Sequence, residues 1–305
     1  MRNKLSEALV KIATRPDFVF LTGDLGFGAL EPLREAAGSR FLNAGVAEQN
    51  MISVAAGMAS TGLKPWTYSI APFVYARPFE QIRNDVCLHD LPVKLIGNGG
   101  GFGYGVMGAT HHAIEDYGAM LCLQNMTVFI PAFSDDVLNI VDELADFEHP
   151  AYLRLGRCEK PGDFVLPKYA PWRKLIAGEG ATLLSVGPIT GSLIDRALSL
   201  PSEKRPNLWV LSRMPLLPDS IPADFLHDLE ISKRLIVVEE HIANGGVGQS
   251  LAAILLGKRV TLNEFSHRCA KGYLSGTYGS QQFHRKENGL DPDSILAELG
   301  VRLSQ

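Results

Sequence analysis

Short apolar segments that alternate with segments of helical periodicity constrain the fold of this chain more than any other feature of its sequence. In the first half of the chain, five such segments are predicted as buried strands, each followed closely by glycine or proline: residues 18–21, 41–42, 66–70, 93–96 and 127–130. Strands that alternate with helices favour a sheet with helices packed on its faces. The sequence therefore predicts an α/β fold with a mostly parallel sheet.

A second α/β domain is predicted after an irregular segment rich in proline. Its strands are expected at four places, with helices between them at βαβ spacing: residues 181–186, 208–211, 235–238 and 260–263. We predict a first domain over residues 1–160, a linker over 161–178 and a second domain over 179–305. A chain of 305 residues with 46% hydrophobic residues is large enough for two cores.

Three further local predictions concern helices and loops. A helix is expected over residues 78–89, and another over 135–147 with Ser134 as its cap. Residues 276–284 are expected to form a loop, and no role follows for His284. The glycines at 97–105 permit close backbone approach, but a phosphate-gripping loop is not predicted because no helix follows directly.

Composition excludes several classes of function. The net charge is −4, and no basic run is interleaved with aromatic residues, so we predict no nucleic-acid partner. No apolar run is long enough to cross a bilayer, and the N-terminus lacks the apolar core of a signal peptide, so no membrane partner is predicted. The four cysteines are far apart and form neither CxxC nor zinc spacing. A reduced, cytoplasmic setting fits best.

A carboxylate follows the second predicted strand at the edge of the sheet where ligands bind. Gly45 interrupts the strand, and Glu48 opens an apolar helical run that Gly62 closes. In open α/β sheets the carboxyl ends of the strands form the ligand-binding edge. Glu48 is therefore a candidate site residue, although an acidic first-turn residue also complements the helix dipole without any further role.

Longer stretches of sequence resemble a known family. FLNAGVAEQNMISVAAGMASTGLKP (41–65) and GATHHAIEDYGAM (108–120) resemble the pyrimidine-binding half of the transketolase family of thiamine diphosphate enzymes. The resemblance continues through PAYLRLGR (150–157) and VVEEHIANGGVGQSLAAIL (237–255). It implies a thiamine diphosphate pyrimidine-binding domain followed by a transketolase C-terminal-like α/β domain. The turn at 239–248 is expected to serve packing and dimer architecture rather than chemistry.

The resemblance assigns cofactor contacts to five positions. The residue matching Glu48 hydrogen-bonds N1′ of the aminopyrimidine, where an acid favours the tautomer that removes the proton from thiazolium C2. Asp24 matches an acidic residue lining the cofactor cleft, and Phe73 matches an aromatic that stacks on the pyrimidine. Ile70 and Arg77 fall where relatives carry supporting contacts. From the residues alone, Asp24 also suits a turn and Phe73 also suits the core.

Substrate contacts follow from the same resemblance. His111 matches a histidine that reaches the sugar substrate and is also a candidate catalytic residue. Arg157 matches an arginine that binds a substrate phosphate, with Arg154 as the competing candidate and a surface ion pair as the alternative for either. His111 and His112 do not predict a metal site, because neighbouring side chains point apart and no third ligand stands at helical spacing.

Two positions depart from the family pattern. Met107 stands where typical relatives carry an aspartate that contacts the donor hydroxyl, and Gly99 stands where relatives often carry a polar residue. Neither side chain can donate or accept hydrogen bonds as those residues do. We therefore expect a substrate pair other than the standard pentose phosphates, or different contacts to it.

The sequence lacks the GDG segment and later asparagine that hold magnesium and the diphosphate in this family. The resemblance therefore implies a partner, an N-terminal diphosphate-binding transketolase subunit that holds Mg²⁺ or Ca²⁺, in an α2β2 heterotetramer. The predicted function is transfer of a two-carbon ketol unit between a ketose and an aldose, expected to be sugar phosphates. The alternatives are the β subunit of a 2-oxoacid dehydrogenase E1, a 1-deoxyxylulose-phosphate-synthase-like enzyme and a non-catalytic paralogue.

Overall fold

The computed structural model describes residues 1–158 and 160–298. The strands are β1 Phe18–Thr22, β2 Phe41–Asn43, β3 Lys64–Ile70, β4 Lys94–Asn98, β5 Thr127–Phe129, β6 Ala151–Leu155, β7 Trp172–Ile176, β8 Thr182–Val186, β9 Asn207–Leu211, β10 Arg213–Met214, β11 Arg234–Ile242 and β12 Glu264–Ala270. The helices are α1 Arg2–Ile12, α2 Glu31–Ala37, α3 Glu48–Ser60, α4 Ala71–Tyr75, α5 Phe79–Gln81, α6 Asp116–Leu121, α7 Asp136–Asp146, α8 Thr190–Leu198, α9 Ala223–Ser232, α10 Val247–Gly257, α11 Gln281–Glu287 and α12 Pro292–Ala297.

The first sheet has the order β10-β5-β6-β4-β3-β1-β2, and its strands are parallel except for β10. Every residue of β1 and β6 is buried, as expected for strands covered on both faces. One face packs against α1 and α7 through Leu5, Leu9, Ile140 and Leu144. The other face packs against α3, where Met51, Ile52 and Ala55 join the core.

The second sheet has the order β12-β11-β8-β9-β7, with only β7 antiparallel to its neighbour. Both sheets are thus mostly parallel and helix-covered, which confirms the predicted fold class. Strand β7 lies inside residues 161–178, the segment predicted as an irregular linker. The second sheet therefore begins at Trp172, ahead of the predicted boundary.

Main-chain hydrogen bonds connect the two halves of the chain. Strand β10 follows β9 of the second sheet in the chain, yet it pairs with β5 of the first sheet. Beside this pair, the backbone N–H of Ile130 donates to the carbonyl of Ser212 at 2.8 Å. This crossing was not predicted, because a two-residue strand carries no periodicity in the sequence.

Two predicted elements are wrong in position or type. Residues 260–263 form an irregular segment, and the strand β12 follows it. Strand β12 lies at the edge of the second sheet, and its polar sequence does not predict a buried strand. The helix predicted over 78–89 is a short turn, α5, followed by a π-helical segment, Ile82–Cys87. Such π segments often occur at functional sites in proteins.

Two predictions about helix ends are also wrong. Helix α7 begins at Asp136, and the carboxylate of Asp136 accepts hydrogen bonds from the N–H groups of Ala132 and Phe133 at 3.2 and 3.0 Å. Ser134 therefore does not cap this helix. Residues 281–287, predicted in part as loop, form helix α11, which Ser280 caps by accepting a hydrogen bond from the N–H of Phe283 at 3.1 Å.

Within the described ranges, none of the helices combines the length and the apolar character needed to span a bilayer.

Candidate active site

Glu48 lies where the sequence predicts it, in the first turn of α3 just beyond the carboxyl end of β2. Gly45, in the left-handed region with φ +71°, turns the chain from the strand towards the helix. Beside it, the N–H of Gly23 donates to the carbonyl of Tyr68 at 3.1 Å, which brings the ends of β1 and β3 together. Glu48 is only 3% exposed. A carboxylate is thus buried at the ligand-binding edge of the first sheet.

The Glu48 carboxylate has two polar neighbours. Nη1 of Arg77 donates to both carboxylate oxygens at 2.9 Å, and Oγ of Ser69 in β3 lies 3.4 Å from Oε1. The Arg77 side chain is 44% exposed, so the ion pair spans from the buried edge to the surface. A buried carboxylate needs such a partner, since an unpaired buried charge is costly.

Phe73 presents its ring beside this ion pair. It lies in α4, directly after β3, and the guanidinium carbon of Arg77 is 3.9 Å from its ring centroid. Ile70 is the last residue of β3 and is 8% exposed, so most of its surface lies in the protein interior. The structure thus brings Glu48, Phe73 and Arg77 together as one cluster, with Ile70 forming the strand end beneath it.

His111 reaches the same edge of the sheet from the loop before α6. Its ring centroid is 5.3 Å from that of Phe73 at an interplanar angle of 64°, and 5.8 Å from that of Tyr104. Oγ1 of Thr110 lies 2.9 Å from Nδ1 of His111, which orients the imidazole. The imidazole of His111 therefore lies next to Phe73, the ring that is predicted to stack on the pyrimidine.

Asp24 lies on the rim of this edge in the left-handed region, with φ +59°, and is exposed. Its Oδ1 accepts a hydrogen bond from Nδ2 of Asn43 at 2.8 Å, and Oδ1 of Asn43 accepts one from the N–H of Gly45 at 2.9 Å. The polar chain links the turn after β1 to the turn after β2.

Arg154 and Arg157, the two candidates for binding a substrate phosphate, differ in their exposure. Arg154 is 3% exposed, with Nε 2.9 Å from Oδ2 of Asp116 and Nη2 donating to the carbonyls of Ala113 and Glu240 at 2.7 and 2.9 Å. Its Nη2 donors are therefore committed inside the protein. Arg157 lies just beyond β6 and is exposed, so its guanidinium is open to solvent.

Tyr104 accounts for one departure from the family pattern, and sequence reasoning missed it. Gly99 has φ +79°, and a Cβ there would lie 2.1 Å from the Tyr104 ring. The Tyr104 hydroxyl accepts a hydrogen bond from Nδ2 of Asn98 at 2.9 Å, and burial raises its pKa, which keeps the hydroxyl neutral. The glycine at position 99 is the sequence signal for this contact, because a side chain there would take the place of the Tyr104 ring. Met107 is 51% exposed on a 3₁₀ turn, Gly105–Met107, and its backbone N–H donates to the carbonyl of Tyr104 at 3.2 Å.

The glycine-rich loop after β4 docks against the second sheet. The N–H of Phe102 donates to Oε1 of Glu240 in β11 at 2.8 Å, and a Cβ on Gly101 would lie 2.7 Å from Cδ of Glu240. Arg285 pairs with Glu240 at 2.9 Å. Burial acts to raise the pKa of Glu240, but Arg285 and the hydrogen bonds outweigh it and leave the pKa below its ordinary value. The glycines therefore serve close packing between the two halves of the chain.

His112 and His284 are structural. His112 is buried, with Nδ1 3.0 Å from the Tyr273 hydroxyl and Nε2 2.8 Å from the carbonyl of Gly105. His284, to which the sequence assigned no role, is fully buried and stacks on Phe102 at 5.1 Å. Burial lowers the pKa of both histidines. Across residues 1–158 and 160–298, the acidic, histidine and cysteine side chains form no group of three placed to hold a metal ion.

The family model for the transketolase pyrimidine-binding domain matches residues 1–161. The chain belongs to the transketolase family. The helix start that carries Glu48 and the loop that carries His111 both fall within the matched region. The resemblance first seen in short stretches of sequence thus extends over more than half of the chain.

Relatives within the transketolase family include proteins of two lengths. The chain is 33% identical to an apulose-4-phosphate transketolase subunit from Actinobacillus succinogenes, over 87% of this chain and 85% of that one. It is 28% identical to the 1-deoxy-D-xylulose-5-phosphate synthase of Clostridium perfringens, over 96% of this chain but 48% of that one. The chain therefore corresponds to most of the first protein and to about half of the second.

A solved structure has the same organisation. A split-gene transketolase, solved as an inactive β4 tetramer, superposes with a TM-score of 0.82 at 28% identity. The superposition covers 98% of this chain and 96% of that one. Both sheets of this transketolase-family chain thus have counterparts in that structure.

Proposed function

We propose that this chain is the pyrimidine-binding subunit of a split, thiamine diphosphate-dependent transketolase that transfers a two-carbon ketol unit between a ketose and an aldose. The observation that carries the proposal is the cluster at the sheet edge. Glu48 is buried there in the first turn of α3, with Phe73 and His111 beside it. The alignment with most of an apulose-4-phosphate transketolase subunit supports the same function.

The residues at this edge fit the aminopyrimidine of thiamine diphosphate. A carboxylate that is 3% exposed lies next to a half-buried aromatic ring, which together match a flat heterocycle with a hydrogen-bonding nitrogen. When bound, thiamine diphosphate supplies the carbon that takes up and releases the ketol group. Glu48 holds a proton at N1′, Phe73 excludes water from one face of the ring, and Asp24 and Ile70 shape the cleft around them.

His111 and Arg157 are the proposed substrate residues. The imidazole of His111, oriented by Thr110, bonds substrate hydroxyls and moves protons to and from them. Arg157, exposed beyond β6, binds the phosphate of a sugar phosphate through its planar fork of donors. Met107 and Gly99 stand where typical relatives carry polar contacts to the substrate, and the Tyr104 ring fills the space beside Gly99. These two departures favour an acceptor or donor other than the usual pentose phosphates.

A partner subunit completes the proposed site. The described residues supply contacts for a pyrimidine but no side-chain group suited to Mg²⁺. We propose that a diphosphate-binding transketolase subunit holds Mg²⁺ or Ca²⁺ and the diphosphate, in an α2β2 assembly. All four cysteines are free, which supports a cytoplasmic location.

A synthase of the 1-deoxyxylulose-phosphate type is the second candidate, favoured by the alignment over 96% of this chain with such an enzyme. The two functions differ in donor, since the synthase decarboxylates a 2-oxoacid and the transketolase takes its ketol unit from a ketose. Release of CO₂ from pyruvate by the assembled enzyme would favour the second candidate.

The test is reconstitution. The purified chain is mixed with a diphosphate-binding transketolase subunit, thiamine diphosphate and Mg²⁺, and ketol transfer is followed over a panel of sugar phosphates and unphosphorylated sugars. We expect turnover that Glu48→Ala abolishes while the complex still assembles in size-exclusion chromatography. Turnover unaffected by Glu48→Ala, or no turnover with any donor, would contradict the proposal.

A further inference from the structure

Arg77 makes two contacts that compete directly with a bound pyrimidine. Its Nη1 donates to both oxygens of Glu48 at 2.9 Å, and its guanidinium carbon lies 3.9 Å from the centroid of the Phe73 ring. The first contact uses the carboxylate that N1′ would need. The second covers one face of the Phe73 ring at a spacing that leaves no room for another flat group on that face.

The chain around Arg77 allows the side chain to leave. Arg77 lies in the turn between α4, which ends at Tyr75, and α5, which begins at Phe79. Its side chain is 44% exposed, so an alternative position in solvent costs little desolvation. Only the arginine side of the ion pair is exposed, and a cation–π contact at such a site is individually weak. Arg77 can thus leave when a ligand supplies a new hydrogen-bonding partner to Glu48, since the buried carboxylate is costly to leave unpaired.

We propose that Arg77 is a displaceable counter-ion of Glu48, which pairs with the carboxylate and covers Phe73 until the aminopyrimidine of thiamine diphosphate takes both places. This inference rests on the proposed function and adds an electrostatic consequence. A neighbouring arginine favours an ionised carboxylate, whereas burial without a counter-charge favours the protonated acid. Departure of Arg77 removes this counter-charge from a buried site, and we therefore expect binding to be accompanied by proton uptake.

The experiment measures binding rather than turnover. The complex of this chain with the diphosphate-binding subunit is titrated with thiamine diphosphate and Mg²⁺ by calorimetry in two buffers of different ionisation enthalpy, which counts protons taken up. Stopped-flow fluorescence gives the association rate. We expect net proton uptake by the wild type. Arg77→Met should associate roughly five- to thirtyfold faster, the factor that one ion pair and one cation–π contact represent together.

Proton uptake distinguishes displacement from a merely structural role. Arg77→Met should take up fewer protons than the wild type, because Glu48 already lacks its counter-charge, and Glu48→Gln should remove this uptake. Arg77→Lys keeps the charge but loses the flat contact with Phe73. It should therefore associate faster with proton uptake close to that of the wild type.

Arg83→Met is the matched control. Arg83 is exposed on the following π-helical segment and donates to Oδ1 of Asn84 at 2.8 Å. Its replacement should change neither the association rate nor the proton count. Circular dichroism of each variant establishes that it is folded before binding is compared, and Arg77→Lys serves if Arg77→Met does not fold.

The two proposals fail in different ways. If the wild-type complex binds no thiamine diphosphate, the proposed function is wrong and the inference falls with it. If the wild type binds but Arg77→Met or Arg77→Lys associates no faster, or if Arg77→Met takes up as many protons as the wild type, Arg77 is not a displaceable counter-ion and the proposed function stands.

Discussion

Glu240 and Phe102 join the two halves of the molecule, since the backbone N–H of Phe102 donates to Oε1 of the Glu240 side chain at 2.8 Å. Glu240 is 4% exposed and also pairs with Arg285 at 2.9 Å. The loop that contains Phe102 continues to His111. The position of the proposed substrate histidine therefore depends on a carboxylate in the second sheet.

Glu240→Gln should destabilise the protein strongly. It removes the negative charge that compensates Arg285 inside the protein, and breaking a buried pair from one side costs about 3–5 kcal/mol. The measurement is the free energy of unfolding in urea. Glu264→Gln is the control, because Glu264 pairs with Arg234 at 2.7 Å while 45% exposed, and its loss should cost about 1 kcal/mol or less. Equal effects of the two variants would contradict the assignment.

Gly99→Ser should also destabilise, although it restores a polar residue at this position. Its Cβ would collide with the Tyr104 ring, and φ at +79° is unfavourable for a side chain. We expect a loss of about 1–3 kcal/mol in the free energy of unfolding, typical of overpacking. The double variant Gly99→Ser, Tyr104→Ala removes the obstacle. Its cost should be smaller than the sum of the two single costs, and simple additivity would show that the ring is not the cause.

Stability should fall as the pH drops below 6.5, the ordinary pKa of histidine. His241 is fully buried, with Nδ1 2.7 Å from the carbonyl of Ile242 and Nε2 accepting from the N–H of Gly118 at 3.1 Å, an arrangement that requires the neutral ring. Burial lowers the pKa of His241, with Arg154 acting in the same direction and Asp116 and Glu239 opposing it. The unfolded state therefore binds the proton first, which favours unfolding at low pH.

Urea unfolding between about pH 8 and pH 5.5, a range that spans the ordinary histidine pKa, measures this dependence. His241→Gln, which cannot titrate, should show a shallower decline than the wild type. His112 and His284 have pKa values lowered by burial as well and account for part of the remaining slope. His89→Gln, at an exposed histidine, is the control for the substitution itself. A wild-type stability that is constant over this range would contradict the prediction.

His111→Asn should lower kcat/KM of the reconstituted enzyme by roughly 10²-fold or more, the usual contribution of a positioned proton-transfer group. The protein should remain folded, because His111 lies in a loop, is only partly buried and contacts Phe73 by its edge. Steady-state kinetics with a saturating cofactor are the measurement. His149→Asn, at an exposed histidine that pairs with Asp90 at 2.9 Å, should behave as the wild type.

Arg157→Met should raise KM for phosphorylated substrates by roughly ten- to a hundredfold, the worth of a hydrogen bond to a charged group. Unphosphorylated sugars should be affected little, since they offer the guanidinium no dianion. The ratio of kcat/KM for the two substrate types is therefore the measurement. Arg154→Met is unsuitable for this comparison, because Arg154 is buried on Asp116 and its loss would unfold the protein locally.

The alternating strands and helices and the helix start at Glu48 could be predicted from the residues themselves, whereas the role expected for His111 followed only from the family resemblance. Each depends on residues close in sequence: a period of hydrophobicity, a glycine that breaks a strand, an acidic first turn. Local signals of this kind determine which elements form. In a parallel α/β sheet they also determine which end of the strands carries ligands.

The contacts between distant segments could not be predicted in this way. Strand β10 joins the first sheet from the second half of the chain, Glu240 holds the loop of Phe102 across 138 positions of sequence, and Tyr104 occupies the space left by Gly99. The Arg77 guanidinium lies on Glu48, 29 positions away. Hydrogen bonds and packing act through space, and their partners are decided only when the sheets close upon each other. The local sequence thus determines which chemical groups stand at the edge of the sheet. The assembled fold determines which charges and surfaces contact those groups.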